Sequence, residues 1–164
     1  MSRDSSGVIT RDAFRNAMGK FASGVTVITV NIKGDVHGMT ASAFFSLSLD
    51  PPLIAVSVDN RARIRPLIPE CRAFGISFLA REQEACSNHF AGITQEGLDI
   101  RFEEYQGFSL VEGALARVCC TLESELPGGD HTIMVGRVVH LDALEDGEPL
   151  LYYSGGYRSL AEKF

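Results

Sequence analysis

The sequence predicts a mainly β protein, an antiparallel barrel with helices at its periphery. Six or seven strand-like segments rich in β-branched residues occur with only two or three helical ones. The first two strands, residues 25–32 and 36–45, are separated only by the turn signal Lys33-Gly34-Asp35, which predicts a hairpin. A parallel sheet would need helices that alternate with its strands, so this order of elements disfavours it.

Composition and charge restrict the classes of function. The 164 residues, 45% hydrophobic and 22% charged, predict one globular domain over residues 1–164. The net charge of −6 disfavours nonspecific binding to nucleic acid, whose backbone favours Lys and Arg. Residues 1–80 carry more basic than acidic residues, while residues 81–164 carry the acidic excess. The acidity does not exclude a small phosphorylated ligand, and the basic first half is where a site for its phosphate would be sought first.

The chain carries no visible signal for export or for a membrane. Its N-terminus is polar, and no apolar run approaches the roughly 18 residues of a membrane span, so we expect a cytoplasmic protein without a membrane partner. The four cysteines lack zinc or C-x-x-C spacing, which predicts reduced thiols that pack in the interior. Adjacent Cys119 and Cys120 should point to opposite faces of a strand.

Three segments have helical patterns. The first has an apolar stripe at i, i+3, i+4 and i+7 from Phe14 to Phe21, and Thr10 suits its N-cap. Short helices are also predicted over residues 61–68 and 81–90.

Turn signals divide the rest of the chain into strands. Asp50-Pro51-Pro52 is a firm break, and Pro127-Gly128-Gly129-Asp130 is a strong turn signal. Strands are predicted at residues 53–58, 73–79, 113–126, 132–141 and 150–153. Polar residues 93–109 are expected to form a long, irregular surface excursion.

Small polar residues form the first candidate site. Thr40-Ala41-Ser42-Ala43 offers backbone N–H groups and two hydroxyls with almost no side-chain bulk. A flat heteroaromatic ring with polar edges could lie against this backbone and accept its hydrogen bonds. A tight crossing of strands also requires small residues, and on residue types alone it is the commoner explanation.

A second candidate is Ser57-Val58-Asp59-Asn60, which follows a buried strand and precedes the helix predicted at residues 61–68. Its last two residues could cap that helix, whose first turn would carry Arg61, Arg63 and Arg65. Free N–H groups and arginines at a helix start form an anion site, and phosphate would fit it. A capped, solvated helix explains the same residues equally well.

A third candidate is Asp130-His131, which follows a flexible turn. The imidazole could donate a hydrogen bond to a ligand or exchange a proton near neutral pH, although a locally bonded turn is the commoner role of an isolated Asp-His pair. No metal site is predicted, because no Cys or carboxylate stands at ligand spacing from His131. The sequence also lacks a nucleophile elbow, a P-loop and a Rossmann glycine motif.

An ordered set of short segments runs through the chain. The segments are residues 21–29 (FASGVTVIT), 38–44 (GMTASAF), 46–53 (SLSLDPPL), 74–77 (FGIS), 89–92 (HFAG), 129–131 (GDH) and 152–157 (YYSGGY). The set resembles the flavin reductase domain, the small reductase component of two-component flavin-dependent monooxygenases. The resemblance covers roughly residues 12–160, which we take as the core of the domain.

The resemblance implies a fold and a set of site residues. The fold is an FMN-binding split β-barrel that works as a homodimer, with flavin near the subunit interface. The implied cofactor-binding residues are Thr40, Ala41, Ser42 and Ala43 at the isoalloxazine edge, Ser57, Val58, Asp59 and Asn60 along the ring and ribityl chain, Ser87 and Phe90 beside the flavin, and Asp130, His131 and Tyr157 at the nicotinamide. Where the family often has small hydroxyl residues after Asn60, this chain has Arg61-Ala62-Arg63, so Arg63 becomes a candidate for the flavin phosphate. Gly156 stands where the family often carries Arg or Lys.

The implied activity is NAD(P)H-dependent flavin reduction, in which NADH reduces FMN or FAD and a separate flavin-dependent oxygenase receives the product. No strictly catalytic side chain is required, since His131 would position the nicotinamide. NADH is favoured over NADPH because no basic cluster for a 2′-phosphate occurs near residues 129–158. The alternatives are a flavin- or haem-binding split-barrel protein without turnover and an amine oxidase resembling pyridoxamine-phosphate oxidase. The choice of FMN or FAD, how tightly it is held and the identity of the oxygenase stay open.

Overall fold

The computed structural model describes residues 8–161, which form three α-helices, one 3-10 turn and twelve β-strands. The helices are α1 (Arg11–Met18), α2 (Leu67–Cys71) and α3 (Glu84–Phe90), and the 3-10 turn Arg81–Gln83 leads into α3. The strands are β1 (Ser23–Gly24), β2 (Thr26–Ile32), β3 (Asp35–Ala41), β4 (Phe44–Leu49), β5 (Pro52–Asp59), β6 (Ala73–Phe78), β7 (Phe102–Tyr105), β8 (Phe108–Val111), β9 (Ala116–Gly128), β10 (His131–Ala143), β11 (Leu151–Tyr153) and β12 (Gly156–Arg158).

Seven strands form one antiparallel sheet in the order β3-β2-β6-β9-β10-β5-β4. β3 and β4 lie at opposite edges of this sheet, although only Ser42 and Ala43 separate them in the chain. Three peptide steps span at most about 11 Å, so the two edges must approach each other and the sheet curls on itself. The Ser57 amide of β5 donates a hydrogen bond to the Ala43 carbonyl at 3.0 Å, which fastens the link to the sheet.

Two small sheets lie beside the main one. The hairpin β11–β12 pairs with β1, where Gly24 faces Leu151. β7 and β8 form a separate hairpin. The β1 pairing keeps the β11–β12 hairpin close to the start of β2.

β2 is buried on both faces because a core lies on each side of it. Ile28 and Val30 belong to the main core, together with residues of β5, β6, β9 and β10. Val25, which precedes β2, and Val27 belong to a second core with Leu79, α3 and β8. Side chains alternate along a strand, so the continuous run of apolar and β-branched residues serves both cores.

Two of the three predicted helices are confirmed. Thr10 caps α1, since its Oγ1 accepts a hydrogen bond from the Ala13 amide at 3.2 Å. α1 ends at Met18, before Phe21, and none of its residues is buried. The helix predicted over residues 81–90 is present as the 3-10 turn and α3. No helix in the described part of the chain is long and apolar enough to cross a membrane.

The helix predicted over residues 61–68 is wrong. The Asp59 carboxylate accepts a hydrogen bond from the Arg61 amide at 2.8 Å, as an N-cap does. The chain nevertheless continues in turns with i to i+3 hydrogen bonds, from the Ala62 amide to the Asp59 carbonyl and from the Arg65 amide to the Ala62 carbonyl. Pro66 then supplies no amide and disfavours a helical conformation at the residue before it. α2 therefore begins only at Leu67.

The predicted strands are confirmed with shifted ends, except that one of them is divided. The structure also contains strands that were not predicted. Residues 36–45 form two strands, because β3 ends at Ala41 and β4 begins at Phe44. Residues 93–109 contain β7 and the start of β8, so this segment is not wholly irregular. β12 follows directly after a tight turn and was absent from the prediction.

The cysteines are unpaired and largely enclosed. Cys120 lies in the main core, and Cys119, which is equally buried, lies outside that cluster, as expected for neighbours on opposite faces. Burial raises the pKa of Cys119 to about 11 and that of Cys120 to about 12. Both thiols are therefore protonated at neutral pH and pack as small apolar groups.

Gly136 in β10 occupies a position that has no room for a side chain. A Cβ there would lie 2.6 Å from Cζ of Phe74 and 2.9 Å from Cβ of Cys120. We expect Gly136→Ala to lower the free energy of unfolding by about 1–3 kcal/mol, the usual cost of overpacking a core. Urea unfolding monitored by circular dichroism measures the change. Gly24→Ala is the control, because nothing lies within 4 Å of a Cβ there. Equal stability of the two variants would show that the core can accommodate the methyl group.

Candidate functional site

The link between β3 and β4 exposes backbone donors. The Ser42 carbonyl accepts a hydrogen bond from the Phe44 amide at 3.0 Å, and the Ala43 carbonyl accepts one from Ser57. Neither the Ser42 amide nor the Ala43 amide has an acceptor among residues 8–161. Both residues are exposed, so their N–H groups are available to a ligand.

A cleft of about 350 Å³ lies beside this link. It is bounded by the end of β3, α3 and the β11–β12 hairpin. Its lining residues are Val25, Thr40, Ser42, Ser87, Asn88, Ala91, Ile93, Tyr152, Gly155, Gly156 and Tyr157. None of these residues carries a formal charge at neutral pH, and hydroxyl groups supply much of the polar surface.

A chain of hydrogen bonds joins the three walls of the cleft. Oγ1 of Thr40 in β3 donates to the Ser87 carbonyl of α3 at 2.6 Å. Oγ of Ser87 lies 2.8 Å from the Tyr157 hydroxyl, which donates to Oδ1 of Asn88 at 3.0 Å. Ser87 is completely buried, so this chain satisfies its hydroxyl and fixes Tyr157 against α3.

A second group of polar side chains lies where β5 ends and β10 begins. In the antiparallel register His131 is opposite Asp59. His131 Nδ1 lies 2.8 Å from Oδ1 of Asp130, and this hydrogen bond lowers the pKa of the Asp130 carboxyl. Hydrogen bonds from Arg61 lower the pKa of Asp59 in the same way. Both carboxyl groups are therefore ionised at neutral pH.

Asn60 holds the turn that carries His131. The backbone amide of Asn60 donates to the Asp130 carbonyl at 3.0 Å, and its side-chain Oδ1 accepts from Oγ1 of Thr132 at 2.7 Å. Arg65 also donates to Oγ1 of Thr132 at 3.3 Å and forms an ion pair with Glu125 at 2.9 Å. Asn60, which follows β5, therefore fixes the turn at residues 129–130 through hydrogen bonds.

The structure brings the two groups close to the same link. Ser42 lines the cleft, Ala43 is bonded to Ser57, and Asp59 follows Ser57 by two residues, about 7 Å along a strand. The link therefore lies between the hydroxyl-lined cleft and the pair Asp59 and His131. The sequence alone could not show this, because it depends on the approach of the two edges of the sheet.

Several predicted site residues lie elsewhere. The side chains of Ala41 and Val58 are buried in the main core, so only their backbones can reach a ligand. Phe90 does not line the cleft; its ring packs over Gly38, where a Cβ would lie 2.6 Å from Cε1. Arg63 is exposed on the turn that replaces the predicted helix. No helix starts at residue 61, so the helix N-terminus expected to hold a phosphate is absent, while the role of Arg63 at a flavin phosphate stays a prediction.

Three further residues of the cleft were not predicted from the sequence. Asn88 and Tyr152 line it, and so does Gly156. A Cβ on Gly156 would lie 2.8 Å from Nη1 of Arg158, so the Arg158 guanidinium covers the place of the absent side chain. The aromatic segment at residues 152–157 was the only sequence signal for these residues. It did not indicate the cleft, because α3, which forms the facing wall, lies far away in the sequence.

The fold and the cleft together define a class of protein. An antiparallel β framework holds a cleft whose lining residues are uncharged and whose edge carries free backbone donors. Such a site suits a flat heteroaromatic ligand with polar edges.

Comparison with known proteins identifies the family. Residues 18–161 match the model of the flavin reductase like domain. An NADH-dependent flavin reductase of a Rhodococcus species is 49% identical over 89% of this chain and 84% of its own length. The reductase component of 4-hydroxyphenylacetate 3-monooxygenase from Thermus thermophilus is 47% identical over 92% of this chain and 97% of its own length. The structure of flavin reductase PheA2 in its native state has a TM-score of 0.90 at 42% identity, and covers 94% of this chain and 100% of that one.

The chain belongs to the flavin reductase like domain family. The resemblance inferred from the ordered segments is confirmed, and so is the mainly β, antiparallel fold. The individual site residues stay predictions.

The Tyr157 hydroxyl is the centre of the hydrogen-bond chain that joins β12 to α3. Without it, the fully buried Ser87 hydroxyl loses a partner, which costs about 1–3 kcal/mol. We expect Tyr157→Phe to lower the free energy of unfolding by about that amount, measured by urea denaturation. Tyr153→Phe is the matched control, since the Tyr153 hydroxyl makes no hydrogen bond within residues 8–161. An unchanged stability of Tyr157→Phe would mean that this chain of bonds is dispensable.

Proposed function

We propose that the protein is an NADH-dependent flavin reductase that reduces FMN or FAD and supplies the reduced flavin to a separate flavin-dependent oxygenase. One observation carries the proposal: the link at Ser42 and Ala43, with its free amides, lies between an uncharged cleft and the turn of His131. The functions of the Rhodococcus and Thermus relatives support it.

The residues at the link fit an isoalloxazine ring. The free amides of Ser42 and Ala43 match the acceptor atoms along the edge of such a ring. Gly155 and Gly156 add no side-chain bulk on the opposite wall, while Tyr157 is held in place by Ser87 and so offers a fixed aromatic surface. Amide donors at this edge would also stabilise negative charge on a reduced ring.

His131 is assigned to the nicotinamide. The hydrogen bond between Nδ1 and Asp130 leaves Nε2 free to bond the carboxamide of the nicotinamide. Hydrogen bonds from Asn60 to the Asp130 carbonyl and from Thr132 to Asn60 hold the backbone on both sides of His131. When bound, the two cofactors supply the chemistry, a hydride transfer from nicotinamide C4 to flavin N5. The protein contributes position, so the absence of a general acid or base among the cleft residues is consistent with the proposal.

The reduced flavin can leave from the open side of the cleft. Ser42, Tyr152 and Gly155 are exposed, so this side is not closed by the chain itself. Such a cleft suits a flavin that dissociates as a product and is taken up by the oxygenase.

We also propose that the domain, residues 1–164, is a split β-barrel that works as a homodimer in the cytoplasm. The curled sheet with its two meeting edges supports the barrel. β4 is an edge strand with exposed Phe45, Leu47 and Leu49, and an exposed apolar edge favours association with a second copy. The four unpaired thiols suit a reducing compartment.

The activity test measures oxidation of NADH at its absorbance band with FMN or FAD added. We expect flavin-dependent turnover, and His131→Ala should raise the KM for NADH about threefold to tenfold, the value of one hydrogen bond, with kcat nearly unchanged. His37→Ala is the control, because His37 lies on β3 away from the turn. Tight flavin binding without NADH oxidation would indicate a carrier protein instead, and a loss of flavin affinity in His131→Ala would refute its assignment.

The homodimer is tested at β4. Leu49 is 94% exposed, and we expect Leu49→Glu to convert the dimer to a monomer because it places a charge in the proposed interface. Size-exclusion chromatography with light scattering measures the mass. Leu144→Glu is the control, since this exposed leucine lies after β10 and away from the edge. A monomeric wild-type protein would eliminate the homodimer, and a dimeric Leu49→Glu variant would place the interface elsewhere.

A further inference from the structure

An exposed segment of the chain leaves the end of α3 at the cleft and crosses to β7. We call residues 93–100 the strap; its first residue, Ile93, lines the cleft. Both ends of the strap are held by the backbone. The Ile93 amide donates to the Asn88 carbonyl at 2.9 Å, and the Arg101 carbonyl, which follows the strap, accepts from the Glu112 amide at 3.0 Å.

Between its ends the strap is attached only weakly to the rest of the molecule. No backbone hydrogen bond joins residues 94–100 to another part of the described chain. Residues 93–97 are all exposed. A segment with an unpaired backbone and little burial changes conformation at a low cost in free energy. The strap can therefore move while the sheet and α3 keep their structure.

The far half of the strap lies over a cavity. A space of about 280 Å³ separates residues 98–101 from the start of α3 and the end of β8. Within the strap, Ile100 packs against the second core and so anchors this end. Movement of the residues before Ile100 would consequently open neither core.

Two glycines lie where the strap would bend. Gly92, immediately before the strap, has a φ of +90°, and Gly97 within it has a φ of +77°. Both values fall in the left-handed region that favours glycine. Nothing lies within 4 Å of a Cβ at either position, so no neighbouring group restrains the backbone there. These two positions suit the hinges of a movable segment that includes residues 93–96.

Ile93 is the strap residue at the cleft. It lines the cleft beside Asn88 and Tyr157, yet it is 60% exposed. An apolar side chain at the mouth of a site becomes buried when the face of a flat ring lies against it, which favours the bound state. Ile93 is thus placed to gain a contact that the empty cleft does not provide.

We propose that the strap closes on a flavin bound in the cleft, places Ile93 against the isoalloxazine ring, and so sets the rate at which the flavin leaves. Rotation at Gly92 and Gly97 moves Ile93, while Ile100 stays in place as the fixed end. The proposal rests on the proposed function and deepens it, because one movable segment then decides between a retained cofactor and a dissociating product.

The first test is cleavage of the full chain by a protease that cuts after glutamate, with and without FMN. Glu96 lies in the exposed part of the strap, so cleavage after it reports the open strap. Glu145, which is exposed between β10 and β11, is the internal control. We expect saturating FMN to slow cleavage after Glu96 by about fivefold or more, since the rate follows the open population, and to leave cleavage after Glu145 unchanged.

The second test is the rate of FMN release, measured by stopped-flow fluorescence after rapid dilution of the complex. We expect Ile93→Ala to raise the rate constant for release by about fivefold to twentyfold, because the ring loses apolar contact, and to reduce the protection of Glu96. Ile93→Val should retain most of the wild-type behaviour. Leu144→Ala is the control, since it shortens a side chain of similar exposure, 57%, that does not line the cleft.

The proposal is overturned if FMN binds and cleavage after Glu96 keeps its rate, or if Ile93→Ala releases FMN as slowly as the wild-type protein. Equal protection of Glu96 and Glu145 would also overturn it, because FMN would then stabilise the whole fold. A strap that closes on FMN in a protein that oxidises no NADH would refute the reductase and retain the strap. If neither FMN nor FAD binds, the strap proposal fails together with the flavin site.

Discussion

The two-residue link between β3 and β4 is the constraint on which the structure depends. It joins the two outermost strands of a seven-stranded sheet, so it forces the sheet to curl around the main core. The same geometry leaves the Ser42 and Ala43 amides outside the ladders of hydrogen bonds. Because Ser42 and Ala43 are small and exposed, their side chains do not cover these amides. The two explanations that residue types left open are therefore compatible, since a tight crossing is what exposes the donors.

Charge is distributed around this link in a way that suits cofactor chemistry. The residues that line the cleft beside it are uncharged, although the Arg158 guanidinium lies over Gly156. The ionised carboxylates Asp59 and Asp130 are engaged by Arg61 and His131 at the ends of the strands. A neutral, preorganised site does not compete with the charge that develops on a reduced ring. Arg15 and Lys20, which have no carboxylate partner among residues 8–161, lie beyond the cleft in the groove beside the end of α1.

Elements governed by nearby residues could be predicted from the sequence. The Thr10 cap, the β2 run and the β9–β10 hairpin depend on residues close in the chain, and the structure contains all three. The helix predicted over residues 61–68 is absent because these residues form successive turns, and Pro66 disfavours a helical conformation at the residue before it, so α2 begins only at Leu67. Contacts such as that between Ser87 and Tyr157 join residues 70 apart, and no local pattern marks such a partner.

The basic excess of residues 1–80 shows how far composition can locate a binding site for phosphate. It led to a phosphate site at Arg61, Arg63 and Arg65, in a helix that is absent. Arg61 and Arg65 are neutralised by Asp59 and Glu125, whereas Arg63 has no carboxylate partner among residues 8–161. Arg15 and Lys20 lie in the same basic half and have no such partner among residues 8–161. The charge of an arginine therefore indicates a binding site only when its ion pairs are known. A carboxylate partner cancels most of the field that a paired arginine exerts on a ligand, whereas an unpaired arginine in a groove exerts nearly its full field.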